Sequence, residues 1–132
     1  MTYLIFGSPC SGKSTYIKEH MTENDIVCDV DLIYGAISTH DPHDADAVVY
    51  DTALQITKYL KEIIRNKEGE WEDAYVVSTA NTKEQIESLK KEVNADECIF
   101  ISAPMEECLE RAKERPSYFK YLILEWFGTK DI

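Results

Sequence analysis

The chain has no CxxC pair, and its four cysteines, Cys10, Cys28, Cys98 and Cys108, lie scattered along 132 residues. That scatter argues against a disulfide frame or a cysteine-based zinc site and fits free thiols in a reducing cytoplasm. No apolar run approaches the roughly 20 residues that a membrane helix needs. The first such run, Tyr3 to Phe6, is too short for the core of a secretory signal and leads straight into a glycine-containing loop. Repeats, linkers and low-complexity tracts are also missing, and the length fits one domain over residues 1–132. Basic residues are scarce as well: 14 Lys and Arg face 25 Asp and Glu, for a net charge of −11. Proteins that follow a nucleic-acid backbone carry a basic stripe. This balance therefore argues against general nucleic-acid binding, while leaving room for a small basic site that grips only an end.

What is present is a balanced globular composition, 44% hydrophobic and 30% charged, in which short apolar runs alternate with helical periodicity. Tyr3–Phe6, Asp25–Asp31, Ala74–Thr79 and Glu97–Ser102 read as four buried strands. Helices are expected from about Lys13 to His20 and from Leu32 to about Lys67, the second broken by the HDPHD turn at His40–Asp44 and closed by Gly69. Val48, Leu54, Ile56, Tyr59, Leu60, Ile63 and Ile64 recur at roughly helical spacing and form its expected apolar face. Further helices follow over Thr82–Val93, Met105–Pro116 and Ser117–Phe127. Tyr118, Phe119, Tyr121, Trp126 and Phe127 are expected in the core. This alternation predicts an α/β fold with a parallel sheet of about four strands between helical layers, and its sites should lie beyond the carboxyl ends of the strands.

The first strand ends in GSPCSGKST, residues 7–15, which fits G-x-x-x-x-G-K-[ST] at Gly7, Gly12, Lys13 and Ser14. A chance match in a chain of this length has odds on the order of one in a few hundred from average residue frequencies. The glycines permit backbone angles that other residues resist. The N–H groups of Gly7, Ser8, Pro9, Cys10, Ser11, Gly12, Lys13, Ser14 and Thr15 (proline excepted) can then converge on phosphate at a helix start. Lys13 would reach the outer phosphates of ATP, and the Ser14 hydroxyl would bind Mg²⁺. Cys10 is incidental to a loop that works through its backbone, although an oxidised adduct there would crowd the nest.

Three further groups fall at strand ends or on a late helix. Asp29 and Asp31 close the second strand. They can mark a turn in which Asp31 is the N-cap of the next helix, or supply one carboxylate for Mg²⁺ and one for an acceptor hydroxyl. The third strand ends in Ser78, Thr79 and Asn81 and carries no acid, which returns the metal-linked carboxylate role to Asp29 or Asp31. Arg111 and Arg115, four residues apart, can sit on a solvated helix face paired with Glu107, Glu110 or Glu114, or on a lid helix over 105–116 that stabilises transferring phosphate. His40 and His43 in the HDPHD turn fit a plain turn, an acceptor-pocket wall or a metal site.

GSPCSGKST, DVDLIYGAI and ECLERAKERP, in that order, resemble the small P-loop kinases around phage polynucleotide 5′-kinase, and especially short ATP-binding proteins of phage genomes. The resemblance covers nearly the whole chain and implies a three-layer P-loop fold of nucleotide-kinase type, with ATP and Mg²⁺ as cofactors. It implies Lys13 and Ser14 at the phosphate and metal positions, Asp31 as the hydroxyl-activating acid with Asp29 left for the metal, and Arg111 and Arg115 as lid arginines. The expected activity is transfer of the γ-phosphoryl group to a nucleoside, a nucleotide or a nucleic-acid 5′ end. The alternative is a nucleotide-binding switch or assembly module that turns over poorly. The chain departs from the family pattern in three respects. Leu32–Ala36 lacks the arginine that follows the family's acid, no fifth strand is recognisable after the lid, and no basic channel is evident.

Overall fold

The computed structural model describes all 132 residues. β1 (Thr2–Phe6), β2 (Ile26–Cys28), β3 (Ala74–Ser78) and β4 (Glu97–Phe100) form one parallel sheet in the order β2-β3-β1-β4. The connecting helices are α1 (Lys13–His20), α2 (Val30–Ile37), α3 (Ala47–Arg65) and α4 (Lys83–Val93), followed by α5 (Met105–Arg111) and α6 (Tyr118–Thr129). No helix is long and apolar enough to cross a membrane. Because side chains alternate along a strand, each strand feeds two layers. Leu4, Phe6, Cys28, Ala74 and Val76 pack with Ile64 of α3 and Val93 of α4 on one face. Ile5 and Tyr75 meet Ile17 of α1 on the other, beside Val27, Val77 and Ile99. This is the expected P-loop α/β architecture.

Register positions the site. Phe6 lies level with Ser78 of β3 and with Phe100 of β4, so three strands end together just where the glycine loop begins. Cys28 is level with Val76, which brings Asp29 to the same rim. β2 is shorter than its sequence suggests because the Asp29 side chain caps α2, accepting from the Asp31 amide at 2.9 Å. Asp29 is thus the cap and Asp31 lies in the first helical turn, where its carboxylate also complements the helix dipole.

The apolar face of α3 also differs from expectation. Val48, Leu54, Ile56 and Tyr59 are exposed, whereas Ala53, Thr57 and Ile64 are buried, with Leu60 packed against the core. The buried residues follow strict three-and-four spacing, and the small Ala53 and Thr57 allow close approach, so residue spacing overrides residue size. The helix ends at Arg65 rather than at Gly69, with Lys67 adopting a left-handed φ of 52° just beyond it. Among the late aromatics, Phe119 and Trp126 are buried, but Tyr118 and Tyr121 are exposed.

α6 runs across the strand ends and is fixed there by polar contacts. The buried Asn81 amide donates to the Trp126 carbonyl at 3.0 Å and to Thr129 Oγ1 at 2.8 Å. The Trp126 indole donates to the Thr79 carbonyl at 2.8 Å. Asn81 is therefore occupied with architecture, while Thr82 caps α4 by accepting from the Gln85 amide at 3.2 Å. Asn81→Ala should lower stability by about 1–3 kcal/mol, because the buried Trp126 carbonyl and the part-buried Thr129 hydroxyl lose their donor. A urea midpoint unchanged by the substitution would show that α6 is held elsewhere.

Candidate active site

The loop between β1 and α1 is built by close approach as much as by unusual angles. A Cβ on Gly7 would lie 2.4 Å from the Ile101 carbonyl oxygen and 2.8 Å from Ser11 Oγ, so this position admits no side chain. Its constraint is space rather than the left-handed backbone expected of it. The left-handed positions are Gly12, at φ 104°, and the non-glycine Cys10, at φ 63°. Gly12 caps α1 without any side-chain bond, which leaves the first-turn amides of the helix open to an anion. Ser11 Oγ is buried without a hydrogen-bond partner. An unsatisfied buried hydroxyl beside free amides is the cradle that a phosphate would complete, so the donor set fits the nucleotide that the motif implies.

Lys13 is buried, and its ammonium donates to the carbonyls of Gly7 at 2.8 Å and Ser8 at 2.7 Å. Burial lowers its pKa from 10.5 to about 8, while the Asp29 carboxylate pulls in the opposite direction. Asp31 is half-buried. Burial raises its pKa first and the adjacent Asp29 charge raises it further, against the pull of His43, Arg115 and Lys13. A half-buried acid with a raised pKa beside a cationic phosphate cradle takes up a proton more readily than a free aspartate does.

Both late arginines reach the site, but by different routes. Arg111 closes α5 and donates to the Cys10 carbonyl at 3.0 Å and to Glu107 Oε1 at 2.5 Å. Its guanidinium passes 3.7 Å from where a Gly12 Cβ would stand. Pairing with Glu107 and reaching the loop are thus simultaneous, although sequence alone presents them as alternatives. Arg115 does not share a helix face with Arg111. Helix α5 ends, a 3₁₀ turn covers Ala112–Glu114, and Arg115 is extended because Pro116 follows it. Its guanidinium stacks 5.0 Å over the Phe119 ring.

One cavity of about 1990 Å³ gathers Pro9 to Tyr16, Asp29, Asp31, Ser78 to Asn81, Arg111 and Arg115. The sequence-predicted groups therefore converge, with Gly7 and Ser8 buried at the start of the loop. The cavity wall also includes Tyr50, Tyr118 and Glu125, which sequence reasoning missed. Tyr50 could have been found from the three-and-four spacing that links it to Ala53 and Thr57. His43 stands at the far rim in a 3₁₀ turn, Pro42–Asp44, with its ring edge-on to Phe119 at 5.2 Å. No three His, Cys, Asp or Glu side chains converge as a preformed metal cluster.

Residues 3–120 match the family profile described as AAA domain. No curated protein matches the sequence. A chain in the structure of the Pnkp1/Rnl/Hen1 RNA repair complex is similar in fold, with a TM-score of 0.63 at 13% identity over 98% of this chain. This chain spans 46% of that one.

The pKa of Lys13 has a measurable consequence. Between about pH 8 and 10.5 the unfolded chain holds a proton that the folded, ligand-free chain has lost, so stability should rise with pH across that window. A phosphate ligand restores the charge, so ATP binding at pH 9 should take up protons in calorimetry across buffers of different ionisation enthalpy. Proton-neutral binding at that pH would contradict the buried-lysine assignment.

Proposed function

The chain belongs to the AAA domain family, as a small P-loop kinase-like, nucleotide-binding protein, and from that premise we propose that it is an ATP-dependent phosphotransferase acting on a small acceptor. The observation that carries this reading is the convergence, in one cavity, of the phosphate loop with Asp31 and two arginines. A protein that only holds nucleotide needs the loop. It does not need a second, half-buried carboxylic acid whose environment raises its pKa.

In the proposed reaction the acceptor oxygen forms a bond to the γ-phosphorus of ATP, the bond from that phosphorus to the β,γ-bridging oxygen breaks, and ADP leaves. Asp31 takes the hydroxyl proton and orients the acceptor. Lys13 leaves its loop carbonyls for the phosphates, and Arg111 lies beside the loop to stabilise charge as it spreads over the phosphoryl oxygens. Arg115 faces the acceptor side. Mg²⁺ would supply further charge neutralisation, held by Ser14 and Asp29 together with phosphate oxygens and water, as is usual for this ion. The segment 105–116 acts as the lid. Acceptors compatible with this site are nucleosides, nucleotides and the 5′ end of a nucleic acid, the last of these suggested by the RNA repair assembly that contains the similar chain.

Asp31→Asn should leave ATP affinity within about threefold while lowering transfer by at least about 10²-fold, the lower end for loss of a general base. In the unmodified protein, transfer should fall as pH drops through a midpoint above the ordinary aspartate value, because protonated Asp31 cannot accept a proton. Full turnover by Asp31→Asn would remove the base assignment. ATP hydrolysis unaffected by any acceptor would favour a nucleotide-dependent switch. Arg111→Ala should slow transfer by about 10³-fold, as loss of a charge-stabilising arginine does. Rapid-quench transfer at saturating ATP checks this.

A further inference from the structure

The cavity above Asp31 has two walls that are distant in sequence. One is the α2–α3 connection with its Pro42–Asp44 turn, and the other is the start of α6. They are joined by a hydrogen bond in which the Tyr118 hydroxyl donates to the His43 carbonyl, 75 residues away in the chain. The His43 ring is edge-on to Phe119, and the Arg115 guanidinium lies over the Phe119 ring. Behind this bridge, α6 is held firmly. Phe119 and Ile123 pack on Cys108 of α5 and Ala112 of the turn that follows it, and Asn81 and Trp126 fix its far end. In front of it, the α2–α3 connection is held by lighter contacts, such as the Asp46 amide donating to the Tyr34 hydroxyl at 3.2 Å. The bridge itself is solvent-exposed. It is therefore the joint that can open.

Charge at this mouth points the same way. Asp41, Asp44 and Asp46 are all exposed on the bridging turn, and Asp31 and Asp29 lie inside. Asp31, Asp44 and Asp41 add to burial in raising the Tyr118 hydroxyl pKa, which places all three close to the bridge. The opposing groups are Arg115, which is stacked on Phe119, and His43, which already faces Asp41 Oδ1 at 3.4 Å. A polynucleotide approaching here would bring a row of phosphates to a row of carboxylates and would have to pass the bridge. A nucleoside carries neither burden.

We infer that Tyr118 is a specificity-determining residue, whose bond to the His43 carbonyl closes the acceptor mouth and restricts the acceptor to a small hydroxyl compound rather than a polynucleotide end. This inference rests on the phosphotransferase reading for its chemistry and selects among the acceptors that reading allows. Tyr118→Phe keeps the ring and removes only the donor.

Losing one such bond should open the mouth about two- to tenfold more often, from its net worth in water. Two measurements on the full chain test this. Amide exchange over residues 43–50 should accelerate by that factor in Tyr118→Phe. With ATP and Mg²⁺, the ratio of kcat/KM for a 5′-hydroxyl oligothymidylate to that for thymidine should favour thymidine in the unmodified protein and rise by a similar factor in the variant. Unchanged exchange overturns the bridge. Faster exchange with an unchanged ratio, or an unmodified protein that uses the oligomer as readily as the nucleoside, overturns the specificity role. Faster exchange with ADP release from neither acceptor in either protein leaves the bridge standing, overturns its role in acceptor choice, and counts against the phosphotransferase reading itself.

Discussion

The Lys13 ammonium is the constraint around which the site is organised. It is a buried cation whose direct partners are two loop carbonyls, Gly7 and Ser8. Burying a charge with so little compensation is costly, and its pKa of about 8 records that cost. The arrangement persists because the loop is over-determined. Gly7 is pressed against the Ile101 carbonyl, Cys10 and Gly12 are left-handed, and Arg111 clamps the Cys10 carbonyl from α5. A phosphate would relieve several of these conditions at once. It would offer Lys13 a full negative partner, Ser11 an acceptor and the first turn of α1 its missing counter-charge.

The acidic rim follows from the same constraint. Asp29 caps α2 and faces Lys13, so it links helix geometry to the charge in the loop. Burial keeps Asp31 from ionising easily, and the Asp29 charge adds to that effect. Two carboxylates two residues apart thus occupy different surroundings, Asp29 as the cap of α2 and Asp31 as a half-buried acid in its first turn. On the opposite side, α6 is tied to the segment after β3 through Thr79 and Asn81 and supplies Tyr118, Phe119, Glu125 and Trp126 to the cavity wall.

Much of this was legible in the sequence, and the portions that were not have physical causes. The phosphate loop and the strand before it were readable because the motif constrains the backbone itself. The arrival of Asp29 and Asp31 at the cavity was readable from the strand that leads to them. Their division into cap and first-turn acid was not, because it depends on where β2 stops against β3. On α3, large apolar residues suggested a face that the small residues Ala53 and Thr57 in fact define. Tyr118 was expected in the core with the other late aromatics, but its hydroxyl finds a partner 75 residues away that no local pattern encodes. Arg111 and Arg115 suggested a single helix face, and Pro116 separates them by forcing an extended residue.

The account turns on the claim that this cradle transfers phosphate rather than merely holding it. The most direct measurement uses γ-labelled ATP and Mg²⁺ with the unmodified protein, following label into product in the presence and absence of nucleosides and nucleotides. The account predicts label on an acceptor, with ADP formed in equal amount and little turnover when no acceptor is present. Label appearing only as free phosphate, at a rate that no acceptor changes, would contradict it.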